Sequence, residues 1–438
     1  MALHPVLEEK LNTALTPGPA EPMTRRDAAL PRIPKKVHAV TGMRRSGKTT
    51  FLQQLAAESR RGAAPERALY LSFDDDRLAD IAADQLSALL EEFYRRYPQL
   101  RRRATVAWFF DEIRLVAGWE RFVRRVLDSE NVRVVVSGSS ARMLSREVHT
   151  SLRGRGIETT IRPFSFREFL RHRGEEPRAE ARRWTAPERS LVEKRFGEYL
   201  LEGGFPEAQG LTRALRVELL QGYVDTVLFR DVLERHGVSQ VSALRWIVRH
   251  CLRNPAGSMS VHRLFLDLKA QGHAVSKDSV HALLGHLFDA YLLQAVPLHT
   301  TSERQRNSNP RKIYPADPGL IHAFDASGRA NTGHALETAV FNELQRRLAE
   351  VAYVKTAEGF EVDFLAGYRD GRRELLQVCA DPSTVDARER ELRALADAAK
   401  SLAKLPAALL VLTQEQAIAL AGGGLHAMPA YEWMLAQH

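Results

Sequence analysis

The chain has 438 residues, 44% of them hydrophobic, with 63 Lys and Arg against 54 Asp and Glu and a net charge of +9. At about 100–200 residues per domain, that length holds two to four separate cores. The positive excess suits anionic partners such as nucleic acid, or else reflects an Arg-rich composition; two distant cysteines, Cys251 and Cys379, exclude a disulfide framework and a Cys-ligated zinc site and fit a reducing cytoplasm.

The N-terminal "MALHPVLEEKLNTALTPGPAEPMTRR" lacks the basic start and apolar core of a secretory signal. It reads as a short helix and a linker, residues 1–34. No run approaches the roughly 18 uncharged apolar residues of a membrane span, so no membrane partner is expected.

Next, "KVHAV" suits a buried strand, "TGMRRSGKTT" is a Gly-rich loop, and "FLQQLAAESRR" reads as a helix. The loop matches G-x-x-x-x-G-K-[ST] through Gly42, Arg45, Ser46, Gly47, Lys48 and Thr49, and Thr50 follows. Glycines there let backbone amides turn toward phosphate oxygens, and the helix N-terminus adds a positive field. Lys48 is expected on the β- and γ-phosphates of ATP and the Thr49 hydroxyl on Mg²⁺, with Arg45 and Ser46 giving mainly backbone amides.

"RALYLSFDDD" is a further strand, ending at Asp74 to Asp76. "TVAWFFDEI" is another, and it delivers Asp111 and Glu112. A buried parallel strand would present both carboxylates beside the phosphate site, Asp111 for the Mg²⁺ and Glu112 to polarise the attacking water. The strand "VRVVVSGSS" offers Ser139, or second Ser140, to sense the γ-phosphate, unless these serines only cap a turn. Arg153 or Arg155 is either a finger reaching a neighbour's site in a homo-oligomer or a solvent-facing side chain. Arg44 and Arg45 would pair with Asp74 to Asp76 or serve a neighbouring subunit. Strands alternating with helices give an α/β parallel sheet over residues 35–180.

"GMRRSGKTT", "DEIRLVAGWERFVRRVLD", "VVVSGSSARMLSREVHTSLRGR", "PFSFREFL", "LEGGFPEA" and "GFEVDFLAG" together resemble prokaryotic AAA-type ATPases of the archaeal-ATPase-like group, from about residue 35 to about 415. In that group the ATPase is followed by a C-terminal domain of unknown function. The resemblance implies a P-loop NTPase core, a winged-helix-like middle and a restriction-nuclease-like C-terminal α/β domain.

Residues 181–238 read as a helical lid, interrupted at Gly203, Gly204 and Pro206. Residues 239–325 read as three helices, two of them capped by Ser260 and Ser276, and then a basic loop before a strand. That is the layout of a winged helix. Lys277, with Asp278 and His281, would face a DNA groove, and Arg304, Arg306, Arg311 and Lys312 would touch phosphates from the wing. The other reading is a module that docks a protein.

Residues 326–438 close the chain. Glu337 on a helix and Asp363 on a strand fit a nuclease site of the PD-(D/E)xK type, as the resemblance implies. The following strand departs from that pattern, with Gln377, Val378 and Cys379 where acid-x-Lys should stand. This removes a metal-binding charge and the water-positioning ammonium together, so the nuclease fold is expected to be inactive unless a lysine arrives from elsewhere, Lys355 being the one considered.

The reading is an Mg²⁺-dependent ATPase whose nucleotide state controls DNA- or protein-binding C-terminal modules. The alternatives are a non-hydrolysing ATP-bound switch and an ATP-regulated nuclease.

Overall fold

The computed structural model describes residues 2–16, 22–138, 152, 154–325, 331–402, 404–420 and 426–436. It divides into two compact units, residues 1–162 and 163–438.

The first unit is built on five parallel strands: β1 (Val37–Thr41), β2 (Ala68–Ser72), β3 (Val106–Asp111), β4 (Val132–Ser137) and β5 (Gly156–Thr160), in the order β2-β3-β4-β1-β5. Successive side chains on a strand face opposite sides. Trp108 and Phe110 of β3 therefore join one hydrophobic cluster, while Phe109 joins the other across the sheet. Burial on both faces explains why these strands read as unbroken apolar runs. Parallel pairing also puts the carboxyl ends of β1, β3 and β4 on one edge.

The helix Pro5–Leu15 is part of this core. Leu7 and Leu11, one turn apart, are fully buried, and Arg96 pairs with Glu8 at 3.1 Å. His38, in the middle of β1, is 2% exposed, and burial followed by the charge of Arg133 pushes its imidazole down to about 4 from 6.5. The folded chain then resists a proton that the unfolded chain takes up below about 6.5. Stability should consequently fall as pH drops from about 6.5 toward about 4. Replacing His38 with Gln should flatten that part of a plot of unfolding midpoint against pH; an unchanged slope would show that another group controls it.

In the second unit, three helices (Val241–Arg253, Val261–Ala270 and Lys277–Asp289) precede a small antiparallel sheet of β6 (Ser258–Met259), β7 (Leu293–Val296) and β8 (Arg311–Pro315), ordered β6-β8-β7. Ser260 and Ser276 cap the second and third helices, as their sequences require. A five-stranded sheet follows: β9 (Glu350–Lys355), β10 (Glu361–Gly367), β11 (Arg373–Cys379), β12 (Ala407–Val411) and β13 (His426–Pro429), ordered β13-β12-β11-β10-β9. β9 to β11 run antiparallel, and β11 to β13 parallel. The helix Thr332–Arg346 packs its apolar face on this sheet through Leu336, Val340 and Leu344.

The loop between β7 and β8 lies along β9. Leu298 forms a bridge with Tyr353, His299 N–H donates to the Tyr353 carbonyl at 2.7 Å, and the Tyr353 hydroxyl donates to the Pro310 carbonyl at 2.7 Å. The two small modules of this unit are thereby joined by backbone pairing.

Candidate functional site

The loop after β1 needs glycine at its first position. Gly42 has φ 137°, and a Cβ there would stand 2.0 Å from the Ile161 carbonyl oxygen. Gly47, at φ 94°, precedes the helix Lys48–Arg60. Arg45 adopts φ 65° without being glycine. Lys48, 7% exposed, donates from Nζ to the carbonyls of Gly42 at 3.0 Å and Met43 at 2.9 Å, so its ammonium lies across the loop. Ser46 is fully buried, and its Oγ has no hydrogen-bond partner among the described residues. Thr49 and Thr50 are exposed on the first helical turn.

Asp111 ends β3 with 3% exposure. Its Oδ2 accepts from the Tyr70 hydroxyl at 2.9 Å, and its Oδ1 accepts from the Ser137 hydroxyl. Burial, then the Asp111 charge, pushes the Tyr70 phenol far above its usual range, so it stays a donor. Glu112 takes φ 52°, and its N–H donates to Ser137 Oγ at 3.2 Å. That left-handed turn is unfavourable for a non-glycine residue, and it redirects the chain immediately after Asp111.

Sequence reasoning missed three residues here. Ser137 touches both acidic positions, whereas Ser139 and Ser140, the serines favoured from the motif, lie outside the described residues, as does Arg153. Tyr70 holds Asp111 from the neighbouring strand. Arg26, in the segment read as linker, donates to the Ser46 carbonyl at 3.0 Å and to the Arg162 carbonyl, strapping the loop from outside. Arg155 lies at the amino-terminal edge of the sheet, where its carbonyl accepts from Val37 N–H, and it pairs with Asp128 at 2.5 Å. It is therefore on the edge opposite its own chain's phosphate loop. Asp75 pairs with Lys10 at 3.0 Å and Arg77 at 2.9 Å.

The second unit corrects the expectation for Lys312. The residue is not on an exposed wing: it is 3% exposed, and its Nζ contacts Asp363 at 2.8 Å, Glu361 at 2.9 Å and Glu337 at 3.1 Å. Arg306 likewise turns to Glu303 and to Glu350 of β9, at 3.7 and 3.6 Å. Arg304 and Lys277 are exposed, and Arg311 is half-buried.

Gln377 stands beside Asp363, accepting the Asp363 N–H at 3.0 Å and donating to Glu391 at 2.5 Å. Glu391, which the sequence reading passed over, brings a carboxylate near the place where the expected acid is missing. The lysine that reaches the cluster most closely among the described residues is Lys312; Lys355 stands 3.8 Å from Glu361. Burial and then the charge of Asp363 push the Glu337 carboxyl up, against the pull of Lys312 and the Tyr314 hydroxyl.

Comparison with known proteins places these features. Residues 34–170 match an AAA domain family, residues 193–331 a domain of unknown function (DUF8612), and residues 332–433 a second (DUF4143). An uncharacterized protein of Methanocaldococcus jannaschii, MJ1544, is 34% identical over 383 residues, covering 86% of this chain and 82% of the archaeal protein. The chain belongs to that protein's family. An uncharacterized protein of Haemophilus influenzae is 28% identical over 337 residues, covering 76% of this chain and 80% of its own.

Among solved structures, a Walker-type ATPase of Pyrococcus abyssi aligns at 14% identity and TM-score 0.39, over 73% of this chain and 95% of that one. The ORC1 protein of Aeropyrum pernix, solved in complex with DNA, aligns at 16% identity and TM-score 0.27, over 74% and 91%. These scores are too low to carry an inference. The AAA match spans the phosphate loop, Asp111, Glu112 and Ser137, and the five-stranded parallel sheet of this AAA domain is a P-loop ATPase fold. No helix among the described residues is long and apolar enough to cross a membrane.

Proposed function

We propose that the AAA domain binds and hydrolyses ATP with Mg²⁺, and that its nucleotide state controls the C-terminal modules. One observation carries this: the loop of Gly42 to Thr49 and the pair Asp111 and Glu112 stand on the same edge of one parallel sheet. The residues fit the ligand. A buried ammonium inside the loop, a buried Ser46 hydroxyl without a partner among the described residues and exposed threonine hydroxyls suit a polyanion and its counterion.

In this reading the backbone amides around Arg45 and Ser46 and the Lys48 ammonium bind the phosphates, and Thr49 and Asp111 would hold Mg²⁺. The ion, when bound, neutralises charge on the phosphate oxygens. Glu112 orients the attacking water and draws on its proton. Ser137 keeps the two acidic residues in register by bonding to both. Loss of turnover with retained ATP binding in Glu112→Gln tests the assignment.

The second unit suits a protein partner better than a DNA groove. The expected wing is paired to β9 through Leu298, His299 and Arg306, and the third helix presents Asp278 beside Lys277. Duplex DNA affinity, measured against salt, should therefore keep its slope when Arg304, Arg306 and Arg311 are all changed to Ala. A slope that falls by about one for each arginine removed would return the loop to a phosphate-contacting role.

A further inference from the structure

The Lys312 ammonium stands where side chains from separate elements converge. Glu337 comes from the helix Thr332–Arg346, and Glu361 and Asp363 come from β10. A bulge in β10 sets Asp363 and Phe364 opposite the single residue Tyr353. Such an extra residue re-aims the strand's side chains. β8 supplies Lys312 from outside this sheet, 51 residues before Asp363.

An ammonium has three protons and no acceptor. Here one oxygen of each acid lies within 3.1 Å of Nζ; Glu337 and Asp363 accept hydrogen bonds from it, and Glu361 pairs with it as an ion. Two of the acids are also held by other donors. Glu337 Oε1 accepts from the Tyr314 hydroxyl at 2.7 Å, and Asp363 Oδ2 accepts from Val378 N–H at 3.0 Å. The carboxylates are thus positioned by the scaffold as well as by the lysine. Burial alone would lower the Lys312 basicity, but Asp363, Glu337 and Glu361 outweigh it and push it well above the ordinary lysine value.

We propose that Lys312 is the permanent cation of this cluster: its ammonium takes the point at which Glu337, Glu361 and Asp363 converge, and so excludes a divalent metal ion from it. An oxygen cage of this kind suits Mg²⁺ or Mn²⁺ in chemistry, and the two kinds of cation compete for one position. The lysine also ties β8 to β10 and to the 332–346 helix, which fixes the loop leading into β8 against the C-terminal sheet. The proposal does not depend on ATP hydrolysis.

The test is Mn²⁺ binding to the nucleotide-free full chain, read from the paramagnetic resonance signal of free Mn²⁺. The wild type should bind no Mn²⁺ that is sensitive to Asp363→Asn. Lys312→Ala should gain one Mn²⁺ per chain, bound at least about tenfold more tightly than by wild type, as loss of a positive charge from a buried cluster implies. Adding Asp363→Asn to that variant should remove the gain, which separates it from metal at the phosphate loop.

A wild type that already binds one Mn²⁺, lost in Asp363→Asn, would overturn the proposal. So would a folded Lys312→Ala chain, with wild-type circular dichroism, that gains none. Should Lys312→Ala not fold, Lys312→Met keeps most of the aliphatic stem and replaces it. Should neither fold, the wild-type titration decides: Asp363-sensitive Mn²⁺ binding overturns the proposal, and its absence supports it.

Discussion

Changing Glu112 to Gln should leave ATP binding within about threefold of wild type while turnover drops by roughly 10²–10⁴-fold, the usual contribution of a positioned general base. The substitution keeps the side chain's shape and removes its charge. It also leaves the Glu112 N–H on Ser137, because that contact is made by the backbone. Asp111, with its Tyr70 and Ser137 partners, stays in place. Binding should therefore survive in a fluorescent-nucleotide titration while phosphate release stops. Undiminished turnover in the variant would assign the water to another residue.

Gly42→Ala should have the other large effect, through the loop's shape and not its chemistry. The added Cβ would meet the Ile161 carbonyl oxygen at 2.0 Å, and the backbone there has φ 137°, which alanine rarely adopts. Ile161 N–H in turn donates to the Thr41 carbonyl at 2.8 Å, so the clashing carbonyl belongs to a segment pinned to β1 and has little room to retreat. Overpacking and strain together suggest a loss of about 2–4 kcal/mol in stability. ATP binding should weaken at least about tenfold even below the unfolding transition, since the loop's amides are displaced. Calorimetric unfolding and a nucleotide titration of the same sample separate the two effects. A variant with unchanged melting and binding would mean that the loop tolerates a shape the geometry forbids.

The phosphate loop was legible in the sequence because its chemistry is contiguous. Gly42 to Thr49 must turn the backbone within eight positions, so the pattern survives in the letters, and Asp111 with Glu112 ends an apolar run that could only be a buried strand. Ser137 was harder to see. It is one small polar residue closing a valine-rich strand, and the serines just after it looked equally suitable. The helix in the N-terminal segment is legible from its spacing, but that Leu7 and Leu11 bury it in the first unit's core is not, because their partners lie far along the chain.

Lys312 shows where local reading stops. In the sequence it follows a polar, arginine-bearing loop, and nothing nearby distinguishes it from Arg311. Its burial arises because β8 carries it to a site whose acids lie on β10 and the 332–346 helix. Where β11 lacks acid-x-Lys, Gln377 bonds to Asp363 and Glu391, while Lys312 reaches Asp363 from another module. Such a cluster is set by tertiary pairing, which residue spacing does not record.

The central claim is tested most directly by phosphate release from the purified full chain with Mg²⁺ and ATP, with and without duplex DNA, against a Lys48→Ala control. The account predicts turnover that requires Mg²⁺, stops with EDTA and falls to background in Lys48→Ala. Release no faster than that control in either condition would contradict it.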